Sequence, residues 1–103
     1  MVKLIVLFRK PPDAEVESFE NVFSQVYVPA INAIPNLKKA SVSRAIGAPR
    51  GEAPYHMLHE VYFENYESLV VGLNSAEGRE AGRHLMGFAR DLVSMMYAEA
   101  WDE

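Results

Sequence analysis

Val2, Leu4, Val6 and Phe8 share one parity of the first ten residues, and Lys3, Ile5, Leu7 and Arg9 share the other. Alternation with a period of two predicts a β-strand over 2–10, one face wholly apolar and the other apolar only in its middle. Pro11 and Pro12 end it. Asp13 then stands as an N-cap, ahead of Glu15 and Glu17 where a helix dipole favours anions. Val16, Phe19, Val22, Phe23, Val26, Ala30 and Ile34 recur at steps of three and four, the stripe of an amphipathic helix roughly five to six turns long. Pro29 lies inside that stripe and leaves the Gln25 carbonyl without its N–H partner, so a kink is expected there.

Pro35 and Asn36 stop the helix, and Leu37 to Ile46 reads as a second strand. A turn-rich loop over 47–54 leads into a third strand, Tyr55 to Phe63. Its odd positions are apolar apart from His59, whereas His56, Leu58, Glu60 and Tyr62 are mixed, so the odd face should meet the helices. Asn65 can cap a helix carrying Leu69, Val70 and Leu73, and Ser75 can cap its continuation through Ala81, Leu85, Phe88 and Ala89. Gly72, Gly78, Gly82 and Gly87 weaken this region, which predicts a break near Asn74. Asp91 to Trp101 closes the chain as a fourth strand rich in Met and Tyr.

The order β-α-β-β-α-β predicts an α+β, ferredoxin-like domain spanning 1–103, with a four-stranded antiparallel sheet and the helices packed on one face. The other face would then expose Ile5, Leu7, Leu58 and Tyr62 together. An apolar surface of that kind marks an interaction site, and two sheets closing face to face as a homodimer would cover it.

Composition narrows the partners. Half of the 103 residues are apolar, and 10 Lys and Arg stand against 14 Asp and Glu for a net charge of −4, which argues against nucleic-acid binding. Cysteine is absent, so disulfides, thiolate metal sites and a Cys nucleophile are excluded. The run from Val2 to Phe8 is too short to span a membrane and lacks a signal-peptide cleavage site, which points to a cytoplasmic protein. A domain this small buries about two-thirds of its chain's surface, so a ligand site is expected to be shallow or shared between subunits.

Glu60 and Tyr62 are the candidate chemistry, because both would face the space between two sheets. A carboxylate enclosed by Ile5, Leu7 and Leu58 would have its pKa raised and could move protons near neutral pH; a structural ion pair with Lys3 or Arg44 is the alternative. Tyr27, two residues before the helix proline, could bring its hydroxyl to a cavity mouth or simply rim the core. His56 and His59 are three apart on a strand and point to opposite faces, so they do not chelate one metal ion, and His59 reads as a neutral core histidine. The five methionines read as gap-fillers.

The whole chain resembles the EthD family of dimeric α/β-barrel proteins, through VKLIVLFRKPPD (2–13), VYVPAINAIPNLKKASVSRAIG (26–47), PYHMLHEVYFENYESL (54–69) and NSAEGRE (74–80). The resemblance implies a ferredoxin-like subunit, a homodimer formed through the sheets, and a link to breakdown or modification of small hydrophobic organic molecules. The wider superfamily includes cofactor-free oxygenases, lactone isomerases and polyketide cyclases. Pro29, Glu60, Phe63, Ser75, Glu77 and Gly78 match the family pattern, whereas Tyr27 stands where members commonly carry histidine. Two readings follow. One is a cofactor-free enzyme in which Glu60 transfers protons, Tyr62 and Tyr27 orient a substrate held between sheet and helices, and Lys3 or Arg44 stabilises an oxyanion, with Ile5 and Leu58 as apolar walls. The other is a dimeric binding or accessory protein for a hydrophobic metabolite. Haem would need an axial ligand, for which His56 is the candidate; neither reading calls for a cofactor or a metal.

Overall fold

The computed structural model describes residues 1–101. Strands β1 (Val2–Phe8), β2 (Leu37–Arg44), β3 (Met57–Phe63) and β4 (Val93–Glu99) form one sheet in the order β2-β3-β1-β4. Every pairing is antiparallel. Helices α1 (Val16–Val22) and α2 (Val28–Asn32) follow β1, and α3 (Tyr66–Asn74) and α4 (Ala76–Ala89) precede β4. This is the α+β, ferredoxin-like arrangement expected. No helix among the described residues is long and apolar enough to cross a membrane.

The first helical region departs from the sequence reading at both ends of its stripe. Asp13 sits in a short 3-10 turn, makes no capping hydrogen bond and pairs with Lys10 at 3.0 Å. Between α1 and α2 the chain widens into a π-helical turn, Phe23–Tyr27, directly ahead of Pro29. Residues four apart drift by about 40° per step on an α-helix, and the wider turn takes up that drift. Phe19, Phe23, Tyr27 and Ile31 therefore stay on one buried face, while Val26, expected on the stripe, is turned out and 38% exposed. Phe8 receives this face, with ring centroids 5.8, 5.2 and 5.8 Å from Phe19, Phe23 and Tyr27. Asn36 closes the region in the left-handed conformation, φ 73°, which asparagine tolerates.

The second region breaks as expected, and both caps form. The Asn65 side chain accepts from the Ser68 N–H at 2.8 Å, and Ser75 Oγ accepts from the Gly78 N–H at 3.0 Å. Ser75 also donates to the Gly72 carbonyl at 2.5 Å, so one hydroxyl ties the end of α3 to the start of α4. The glycines here serve contact. A Cβ on Gly72 would lie 2.7 Å from the Pro35 oxygen, and one on Gly78 would strike the carbonyls of Gly72 and Leu73.

Leu4, Val6, Phe8, Met57, Val61 and Phe63 turn one sheet face into the core, with His59 buried among them. Lys3, Ile5, Leu7, Leu58, Glu60 and Tyr62 are half-buried on the opposite face, which no helix covers. A bulge between Leu37 and Lys39 moves β2 by one residue against β3. Beyond it the inward parity becomes even, and Arg44 lies opposite Met57 on the helix side.

Candidate functional site

A cleft of about 900 Å³ opens between the sheet and the helices at the β4 edge. It is an open concavity at the edge of the sheet and not an enclosed internal cavity, as the small size of the domain leads one to expect. The volume comes from side-chain size. Helix α4 turns Gly78, Ala81 and Gly82 toward it, and a Cβ on Gly82 would meet nothing within 4 Å. Leu4 and Val6 form the sheet wall, Ile31 and Ile34 the facing helix wall. Met95 and Tyr97 of β4 stay 50% and 54% exposed because no helix reaches over them. The β4 methionines thus line a cleft, where the sequence suggested gap-filling; Met57 does fill the core.

One buried polar pair backs this cleft. Tyr27 lines it and is 1% exposed, with Oη 3.4 Å from His59 Nδ1, a long hydrogen bond. Burial pushes the His59 pKa down to about 4, so the ring is neutral at pH 7. Burial raises the Tyr27 phenol well above its ordinary value, so it too stays neutral. His59 Nε2 is buried without a partner. The tautomer that strands no N–H carries its proton on Nδ1 and donates it to the phenol oxygen. In that state the Tyr27 O–H is not engaged by His59. The expected core histidine is thereby borne out, and Tyr27 is a buried wall residue, deeper than the rim position expected.

The mouth of the cleft is cationic. Arg79 and Arg83 of α4 line it, and the lining contains no carboxylate and no amide side chain. Arg83 is ion-paired with Glu80, whose carboxyl it holds below the ordinary range, and Glu80 also reaches His84 at 3.2 Å. Arg79 donates to the Asn74 carbonyl at 3.0 Å and has no carboxylate partner among the described residues.

The residues expected to act together fall on two sides of the sheet. Glu60 accepts from Lys3 at 2.7 Å, and Lys3 also reaches Tyr62 Oη at 3.5 Å. This hydrogen bond to Glu60 raises the Lys3 ammonium above its usual value. Ile5 pairs with Glu60 across β1 and β3, and Leu58 pairs with Leu7. These groups share the uncovered face, so the ion-pair alternative for Glu60 is the one formed. The sheet itself separates Glu60 from anything held between sheet and helices. Arg44 reaches Glu20 of α1 at 3.3 Å, not Glu60, because the β2 bulge reversed its face. His56, also expected on the open face, donates to Glu20 at 2.7 Å: β3 begins only at Met57, so the alternation does not govern it. That removes it as an axial ligand in a cavity between sheets. Among the described residues no three His, Cys, Asp or Glu side chains gather in a way that could hold a metal ion. Arg79, Gly82 and Tyr97 were missed; the signal available was a row of small residues at helical spacing on α4.

A scan against models of known protein families finds no match. An uncharacterised 11.0 kDa protein of the thcB-thcC intergenic region in Rhodococcus erythropolis is 22% identical over 99 residues, covering 96% of this chain and 94% of its own. A dimeric protein of unknown function and ferredoxin-like fold from Bacteroides fragilis superposes with a TM-score of 0.69 at 23% identity, over 96% of this chain and 95% of that one. A crystal structure from Bacillus halodurans, an ethyl tert-butyl ether D (EthD) family protein, superposes with a TM-score of 0.91. Its sequence is 33% identical to this one, with 97% of this chain and 98% of that chain covered, and on that likeness the chain belongs to the EthD family.

Proposed function

We propose that this EthD-family chain binds, without a cofactor, a small hydrophobic organic molecule in the cleft between sheet and helices, and works as a homodimer closed through the uncovered sheet faces. The observation that carries the reading is the cleft: an apolar concavity with few polar groups has the size and lining of a ligand site. The polar group best placed to orient a ligand, or to exchange a proton with it, is Tyr27 backed by His59. Glu60 and its partner Lys3 take the other role, in the subunit interface, where Ile5, Leu58 and Tyr62 supply the apolar contact.

Gly82 provides the test of the cleft. A Gly82→Leu side chain has open space to enter and improves helix propensity by about 0.7 kcal/mol. The variant should be at least as stable as the wild type in urea titration while losing tenfold or more in affinity for 2-naphthol, followed by ligand fluorescence. Undiminished binding would show that the ligand lies elsewhere. For the dimer, light scattering should give twice the chain mass, and Leu58→Lys should halve it at micromolar concentration. A wild-type monomer would remove the interface.

A further inference from the structure

The polar groups of the cleft all have one chemical sense. Tyr27 and Tyr97 can donate hydrogen bonds, Arg79 and Arg83 can only donate them, and no Asp, Glu, Asn or Gln side chain lines the space. A protein of net charge −4 has thus kept carboxylates out of this concavity and placed two guanidiniums there. The two are not equivalent. Arg83 is neutralised by Glu80, which is itself drawn toward the ionised form by that contact. Arg79 makes no ion pair with a carboxylate among the described residues, and one of its nitrogens is fixed on the Asn74 carbonyl at 3.0 Å. That bond spends one N–H of five and holds the planar group in place beside the start of α4, whose N-terminal end favours negative charge.

Resting on the proposed ligand cleft, we infer that its ligand is an apolar acid, bound as the anion with its carboxylate on Arg79 and its hydrocarbon body against Leu4, Ile31 and Leu85. An anionic head satisfies the guanidinium through paired N–H···O bonds. A neutral molecule leaves that charge to water, and an ammonium is repelled by both arginines. The Tyr27 hydroxyl, at the buried wall, serves a second acceptor on the body of the molecule.

Three probes of one shape separate the possibilities: 2-naphthoate, 2-naphthol and 2-naphthylmethylammonium, titrated by fluorescence at pH 7 in 50 mM and 500 mM salt. Naphthoate is expected to bind at least tenfold tighter than naphthol, and the ammonium weakest, with the preference shrinking at high salt. Arg79→Met keeps the apolar stem and should lower naphthoate affinity tenfold while leaving naphthol within twofold. Arg79→Lys should retain part of the preference, and Arg83→Met should cost less than Arg79→Met. Equal binding of naphthoate and naphthol, or equal losses for both in Arg79→Met, would overturn the inference and leave the cleft standing. If none of the three binds, and Gly82→Leu changes nothing, the cleft reading falls and takes this one with it.

Discussion

Replacing Gly78 with alanine should destabilise the fold by about 3 kcal/mol and lower its midpoint of thermal unfolding by roughly 15 °C. The added methyl has nowhere to go. It would meet the Gly72 and Leu73 carbonyls and lie 2.6 Å from the Leu73 carbonyl carbon. Backbone cannot rotate aside as a flexible side chain can, so α3 and α4 must separate. Separation stretches the Ser75 hydroxyl bridge from Gly72 to Gly78 and lifts Leu69 and Ala81, 0% and 1% exposed, out of the core. The control lies four residues on. Gly82→Ala meets open space and should stabilise by about 0.8 kcal/mol through helix propensity alone. Opposite signs on one helix face, read from urea unfolding of both variants, are the expected result. A Gly78→Ala protein as stable as the wild type would mean that the two helices are not in contact as described.

The second large effect follows pH. His59 is neutral when folded, with its pKa pushed from 6.5 down to about 4 by burial. Between those values the unfolded chain takes up a proton that the folded chain refuses, so stability falls as the solution is acidified. The loss begins near pH 6.5, runs at about 1.4 kcal/mol per pH unit, and totals about 3 kcal/mol by pH 4. Glu80, held below its ordinary 4.5 by Arg83, stabilises above that pH and adds its own loss only at lower values. The window from 6.5 to 4.5 therefore excludes Glu80, and the His59→Leu comparison assigns the slope within it. Denaturant unfolding at half-unit intervals should show the slope, and His59→Leu should abolish it even though that variant loses the Tyr27 contact. An unchanged slope in His59→Leu would assign the acid sensitivity to another group.

Strands β1 and β3 were legible because each has a period of two and one apolar parity; Leu4, Val6 and Phe8 are buried as that pattern requires. The caps at Asn65 and Ser75 were legible for a local reason, since a short polar side chain three residues before an N–H finds it without help from the rest of the fold. What was not legible depends on a single residue of phase. The π turn moves Tyr27 inward and Val26 outward, and the β2 bulge carries Arg44 to the helix side. Periodicity counts positions and cannot see where one is inserted. The candidate site divides for a different reason: Lys3, Glu60 and Tyr62 meet on the uncovered face as their parity requires, while the concavity lies on the far side of the sheet. It formed there because glycines read as weak points in α4 instead leave space above β4.

The bulge that redirects Arg44 also shapes how sheets of different molecules can meet. It lies on an outer strand, next to Lys38 and Lys39, where a kinked backbone and two charges oppose the addition of another strand. At the other border β4 is regular and carries no Lys or Arg over Val93–Glu99. By strand addition, as distinct from packing face to face, a molecule with one sealed border and one open border can join a second copy only open to open. Such a junction has two-fold symmetry and uses up both open borders, so lateral growth ends at a pair and a fibre has no third chain to recruit.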